Sequence, residues 1–161
     1  KHEKFIQMAD IEAEILRKAR VKLTEMFDSN FNRQGFFDKK WVPTKDPKVN
    51  KAGKKGSILI VSGRMRRSIR SYIKAKAIVF ASDLPYTALH NEGGNFSVKV
   101  RPHKKTRKGK TFNVRSHTKQ MSMPQRQFIG DHPKVQQALG DIVHQELQRF
   151  SENLVRKTMR K

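Results

Sequence analysis

The pattern of apolar positions predicts a long amphipathic helix near each end of the chain. Between residues 5 and 27, apolar side chains recur at intervals of three and four, which places them on one helix face. Asp28-Ser29-Asn30 is the expected end of this helix. The second helix is expected to begin after Asp131 or His132, either of which can cap it, with Pro133 in its first turn. Its apolar stripe is Val135, Leu139, Ile142, Val143, Leu147, Phe150, Leu154 and Val155.

Shorter alternating segments between the helices predict antiparallel strands. One hairpin is expected from residues 69–73 and 78–81, joined by a short Lys-Ala-Lys turn. Residues 96–101 and 111–115 are predicted to be the two arms of a long basic hairpin, with a polar tip at 102–110. The predicted class is α+β, with two long helices packed on a small antiparallel sheet of about four or five strands. Residues 1–161 are expected to form a single domain.

The segment from Phe31 to Ser57 has the least regular pattern. Its aromatic residues are interpreted either as a lid over the core or as a base-stacking platform for single-stranded nucleic acid. The lid is favoured because the aromatics precede a basic block instead of alternating with it. Residues 43–57, rich in Lys, Pro and Gly, are predicted to form a mobile surface loop. The aromatic residues are Phe31, Phe36, Phe37 and Trp41.

Charge is the dominant feature of the composition. The chain has 36 Lys and Arg against 14 Asp and Glu, a formal charge of +22. No acidic residue lies between Glu92 and Asp131, so this region attracts polyanions. Three interpretations remain open: a solvated surface that deters aggregation, contact with DNA, and contact with an acidic protein. The candidate contact residues are Lys99, Arg101, Lys104, Lys105, Arg107, Lys108, Lys110 and Arg115, and Lys119 and Arg126 are further cations of this region.

Catalytic and metal-binding patterns are weak throughout the chain. There is no cysteine, and no two of the six histidines have the helical i, i+4 spacing of a zinc motif. His90 and Glu92 are near neighbours in a turn, which is more typical of a structural role. Clustered carboxylates for a nuclease are scarce. The sequence predicts no enzyme, metal or cofactor, and it has neither a signal-peptide pattern after Lys1 nor an apolar run of membrane-spanning length.

Four segments, in this order, resemble the virion morphogenesis (tail completion) family of tailed bacteriophages. Residues 36–43 resemble its Trp-x-Pro element, and residues 58–69 its Ile-Leu, then Ser/Thr-Gly-x-Leu-x-x-Ser-Ile element, with Met in place of the usual Leu. Residues 84–94 resemble Pro-Tyr-Ala-x-x-His-x-x-Gly-Gly, with Thr87 in place of the usual Ala. Residues 123–130 resemble Met/Ile-Pro-x-Arg-x-Phe-Leu-Gly. The resemblance spans about residues 41–147.

The motif residues are chemically suited either to fix the chain at turns inside the fold or to form a contact between subunits. Glycine permits positive φ or close backbone approach, and proline restricts the chain before a turn. The Tyr and His side chains are expected to tie down buried backbone groups, and Arg126 to brace Glu92 or a helix end. Core and interface roles are both open. These residues are Gly63, Pro85, Tyr86, His90, Glu92, Gly93, Gly94, Pro124, Arg126, Phe128 and Gly130.

The resemblance implies a virion protein that completes the tail or joins it to the DNA-filled head. It implies a ring-forming homo-oligomer that contacts other tail or neck proteins, located in the virion and, during assembly, in the host cytoplasm. It implies no membrane or small-molecule partner. The alternative is a stand-alone, non-sequence-specific DNA-binding protein that uses the basic segment 99–119.

Overall fold

A computed structural model describes residues 2–43 and 57–159 of the chain. The mobile loop expected at 43–57 lies outside the described residues except for its first and last positions. Long helices stand at both ends, and short antiparallel strands lie between them, which confirms the α+β class. The elements are α1 (His2–Arg33), β1 (Gly35–Phe36), β2 (Lys39–Lys40), α2 (Arg64–Ser68), β3 (Arg70–Lys74), β4 (Ala77–Ala81), α3 (Tyr86–Glu92), β5 (Gly94–Val100), β6 (His103–Arg107), β7 (Lys110–Val114), β8 (His117–Met123) and α4 (Pro133–Met159).

The first helix is longer than the sequence predicts, because Asp28-Ser29-Asn30 does not end it. Each of these polar side chains has a partner that is compatible with a helix. The Ser29 hydroxyl donates to the Met26 carbonyl at 2.7 Å, Asp28 pairs with Arg66 of α2, and Asn30 is fully buried with two tertiary hydrogen bonds. The next residue, Phe31, is only 1% exposed. Tertiary contacts therefore override the local tendency of these residues to stop a helix.

The core consists of two adjoining groups of buried side chains. The four aromatics at 31–41 belong to these groups, with exposures between 1% and 8%. The base-stacking interpretation is therefore wrong, and the aromatics form the core itself instead of a lid on it. The first group is Leu23, Phe27, Phe36, Phe37 and Val135, and the second is Phe31, Trp41, Met65, Leu84 and Phe128.

The last helix begins as the sequence predicts, with Pro133 as its first residue. His132 caps it, because its Nδ1 accepts from the Lys134 N–H at 3.2 Å. The helix runs antiparallel to α1, with Lys18 of α1 bonded to Glu146 at 2.5 Å. The apolar stripe of α4 is only partly covered by α1. Val143, Leu147, Leu154 and Val155 remain 38–52% exposed.

The described residues form eight short strands, arranged as four two-stranded antiparallel ribbons. This arrangement differs from the expected single sheet of four or five strands. The hairpin of β3 and β4 matches the sequence prediction, with Ala75 and Lys76 at positive φ in its two-residue turn. It lies along α1, where the Ser71 and Thr24 hydroxyls are 2.9 Å apart.

The predicted pairing of the basic hairpin is wrong. Residues 94–100 pair with 117–123, and residues 103–107 pair with 110–114, in one continuous register. The connecting turn is only Lys108-Gly109, both at positive φ, which is the two-residue turn that suits the twist of antiparallel strands. The expected loop at 102–110 is therefore mostly strand. We call residues 94–123 the β-arm, and its outer hairpin, residues 103–114, the arm tip.

Replacing Phe31 with Ala should destabilise the fold by about 3–5 kcal/mol, because it leaves a cavity between Trp41 and Phe128. The measurement is the free energy of unfolding in urea, followed by circular dichroism. Val21→Ala on an exposed position of the same helix is the control, with an expected change within about 0.5 kcal/mol. Equal losses in the two variants would contradict the placement of Phe31 in the core.

Candidate functional site

The segment that enters α4 is bound to the body through the backbone of Phe128. The Asn30 side-chain N–H donates to the Phe128 carbonyl at 3.1 Å. The Asn91 Oδ1 accepts from the N–H groups of Phe128 and Ile129, at 3.0 and 3.1 Å. The Phe128 ring itself is 1% exposed and packs 5.0 Å from the Phe31 ring. Both the ring and the backbone of Phe128 are therefore held inside the fold.

The root of the β-arm is held by a close backbone contact at Gly93. This residue has φ +71°, and a Cβ built on it would lie 2.6 Å from the Gln125 nitrogen. Any side chain here would therefore push the two ends of the arm apart. Gly63, Gly94 and Gly130 also have positive φ, at +65°, +120° and +157°.

The start of α3 is tied to α2 by a chain of hydroxyl groups. Ser82 Oγ lies 2.7 Å from Ser68 Oγ and 2.9 Å from the Thr87 hydroxyl. Thr87, which replaces the alanine usual in the motif, is buried and takes part in this chain. Pro85 occupies the N-cap position of α3 and is exposed, as are Tyr86 and Glu92.

Arg126 and His90 form a partly buried pair of basic side chains beside the arm root. Arg126 does not contact Glu92 as expected; its Nε donates to the Val42 carbonyl at 3.1 Å, and its backbone N–H donates to the His90 carbonyl at 2.8 Å. The latter bond joins the backbone at residue 126, not the Arg126 side chain, to the last turn of α3. His90 Nδ1 is buried without a hydrogen-bond partner among the described residues. Burial and the nearby Arg126 charge lower the pKa of His90 below 6.5, and burial also lowers the pKa of Arg126.

Three side chains hold this region in a role that the sequence analysis did not predict for them. Asn30 and Asn91 bind backbone groups of the 124–130 segment, and the Trp41 indole N–H donates to the Gln127 carbonyl at 2.6 Å. Tyr86 was expected to bind a buried backbone group, but its side chain is at the surface, with its ring edge-on to His90. Asn91 lies inside the motif at residues 84–94, between His90 and Glu92. This position in the motif is the feature of the sequence that points to a role for Asn91.

The β-arm is the most exposed part of the described structure. None of its residues is buried, and every residue from 101 to 113 is exposed. Between residues 94 and 123 it carries nine basic side chains and no acidic one. Its fourteen-residue first half, residues 94–107, spans about 45 Å if extended. The candidate contact residues Lys99 to Arg115 are therefore spread along an extended ribbon, whereas the motif residues Gly93, Pro124 and Arg126 lie at its root.

Residues 5–148 match the family model of the phage virion morphogenesis family. The chain belongs to the phage virion morphogenesis family. Comparisons with curated proteins and with solved structures give no significant match. Membership places this chain in the assembly of phage virions and implies that it interacts with other virion proteins.

In residues 2–43 and 57–159, no three His, Asp or Glu side chains converge in a way that could hold a metal ion. Over the same ranges, none of the helices combines the length and the apolar character needed to span a bilayer.

We expect Asn91→Ala to destabilise the protein by about 1–3 kcal/mol, because the N–H groups of Phe128 and Ile129 lose their acceptor in a site with little access to water. Asn91→Asp keeps an acceptor oxygen and should lose clearly less. Glu92→Ala, at the exposed next position, is the control. Urea unfolding measures all three, and an unchanged stability in Asn91→Ala would contradict the role of this side chain.

Acidification should destabilise the fold through His90. Because its pKa is lowered in the folded state, the unfolded chain binds this proton more readily, and stability falls as the pH drops below about 6.5. His90→Leu should remove this part of the pH dependence, while His117→Gln on the exposed arm should retain it. The measurement is the free energy of unfolding between pH 8 and pH 5. Parallel curves for the wild type and His90→Leu would refute the assignment.

Proposed function

We propose that this protein is a tail-completion or head–tail joining subunit that acts through self-assembly and contacts with neighbouring virion proteins. In this role it forms a closed homo-oligomeric ring at the tail end or neck. A ring of identical chains needs two different complementary surfaces on each chain, so that each copy contacts the next. The protein would then act in the host cytoplasm during assembly and reside in the tail or neck of the virion.

The exposed β-arm is the observation that carries this proposal. A two-stranded ribbon is marginally stable in water unless it packs on something else. The arm keeps its apolar residues Phe112 and Val98 at 53% and 38% exposure. An extended, basic and partly apolar ribbon is suited to contact a neighbouring subunit.

The motif residues support an assembly role in a different way. Phe128, Arg126 and Gly93 hold the arm root and the start of α4 to the body. Pro85, Tyr86 and Glu92 have exposed side chains in the same motifs. We propose that these three residues lie at a contact between subunits, next to the arm.

A stand-alone DNA-binding protein is the second candidate, and the charge of the arm favours it. A two-stranded ribbon fits the major groove of DNA, and the arm has cations on both faces. Such a protein would bind through phosphates and without base readout.

The discriminating variant replaces the five cations of the tip with Gln. All five side chains are exposed, so the fold should be unchanged. An assembly subunit should stay folded, yet give unjoined heads and tails when it complements phage lacking the gene, as counted by electron microscopy. A dedicated DNA binder should instead lose most of its affinity and its steep salt dependence, with joining unaffected. The replaced residues are Lys104, Lys105, Arg107, Lys108 and Lys110.

The control variant removes the same charge elsewhere on the surface. It should support normal joining, because it leaves the arm intact. If both variants reduce joining equally, total charge and not the arm is responsible, and the proposal is wrong. The control replaces the exposed residues Lys22, Arg64, Arg70, Lys74 and Arg156 with Gln.

A further inference from the structure

The tip of the β-arm combines an exposed aromatic ring with three cations on one face. Phe112 lies opposite Lys105, and the adjacent pair on the same face of the ribbon is Arg107 and Lys110. Phe112 is 53% exposed. An aromatic side chain flanked by cations is complementary to an apolar pocket with carboxylates at its edge.

A cleft of this chemistry lies between α1 and α4, in the part of the helix pair farthest from α2 and the core. Its volume is about 350 Å³, at the lower end of the range for ligand sites in proteins. Ile11, Phe150 and Leu154 give it an apolar lining, and Leu154 is 40% exposed. Its charged lining is Asp10, Glu14, Glu146, Arg149 and Lys157.

The three carboxylates of the cleft differ in their ion pairs within the chain and in their exposure. Glu146 bonds Lys18 at 2.5 Å and Arg149 at 3.4 Å, and Glu14 bonds Arg17 at 2.7 Å. These bonds hold the pKa of Glu146 and of Glu14 below 4.5, so both side chains are ionised at neutral pH. Asp10 is the exposed carboxylate of the cleft, since Glu14 is partly buried and Glu146 is buried. It is the carboxylate best placed to meet an incoming cation.

We propose that the arm tip of one copy inserts Phe112 into the cleft between α1 and α4 of a second copy. This inference rests on the proposed self-assembly and names the two surfaces that meet. The ring of Phe112 covers Phe150 and Leu154, and Lys110 approaches Asp10. The tip cannot be in the cleft of its own chain, because every residue from 101 to 113 is exposed.

A second copy is the occupant favoured by the charge distribution. The arm has nine basic side chains and no acidic one, whereas the cleft is lined by three carboxylates and two cations and so carries a net negative charge on a chain of net charge +22. DNA would satisfy the cations of the tip, but it would leave Phe112 and the apolar cleft uncovered. Because arm and cleft are different surfaces, the contact is heterologous, and repetition of it builds a ring or a filament.

Engineered cysteines test the contact directly, because the chain has no cysteine of its own. Lys105→Cys protein, which keeps Phe112, is mixed with ¹⁵N-labelled Asn153→Cys protein, which keeps Leu154. The mixture is oxidised, and mass spectrometry identifies dimers with one labelled chain. Lys105 lies opposite Phe112 on the same face of the tip, and Asn153 lines the cleft beside Leu154. A disulfide requires Cα atoms within about 7 Å, so its rate of formation reports how often these two positions meet. The mixed dimer should form about tenfold faster than in the control mixture, which pairs Val61→Cys with Asn153→Cys. Val61 is 53% exposed and lies outside both surfaces.

Equal rates in the two mixtures would overturn the proposal. Light scattering on the wild type then separates the two claims. If a discrete multimer forms without the disulfide, the subunits meet elsewhere, and the proposed function stands. If the protein is also monomeric, self-assembly of the free chain fails as well.

Charge exchange gives an independent test. Asp10→Lys and Lys110→Glu should each raise the concentration needed for multimer formation by about tenfold, and their combination should restore most of it. Glu152→Lys makes the same charge change on α4 outside the cleft, and should have little effect. The proposal is overturned if Asp10→Lys behaves like Glu152→Lys, or if Lys110→Glu alters only the affinity for duplex DNA.

Discussion

The rest of the fold depends on the hydrogen bonds that two asparagine side chains make with the backbone of Phe128. Asn30 binds its carbonyl and Asn91 binds its N–H, so one residue links α1, α3 and the entrance to α4. A buried amide without its partners is costly, because neither it nor the backbone group can reach water. These bonds fix where α4 begins, and the ion pair between Lys18 and Glu146 holds α1 and α4 together farther along, next to the cleft between them.

Elements with strong local patterns were predictable from the sequence. The two long helices, the β3–β4 hairpin and the cap at His132 each depend on periodicity or on one turn residue, which a sequence displays directly. The family motifs were also recognisable, because glycine and proline at turns carry a physical signature.

The remaining features depend on partners that are distant in the chain. Asn30 reads as a helix stop, yet its side chain bonds residues 7 and 98 positions away. The arm was predicted with the wrong pairing because Lys108-Gly109 was not recognised as a two-residue turn, and the register follows from that turn. Phe36 and Trp41 lie among polar residues, and only the tertiary structure places them in the core. A cleft between helices from opposite ends of the chain has no local pattern at all.

The close approach at Gly93 has a mechanical consequence for the β-arm. Because the backbone of Gly93 touches Gln125, the two strands leave the body from one narrow, tightly packed base. An arm of about 45 Å acts as a lever, so a rotation of about 10° at this base moves the tip by about 8 Å. A single methyl group added at Gly93 would thus misdirect the distant end of the molecule while leaving its surface chemistry intact. The position of the arm tip therefore depends on the absence of a Cβ atom at Gly93, at the root of the arm.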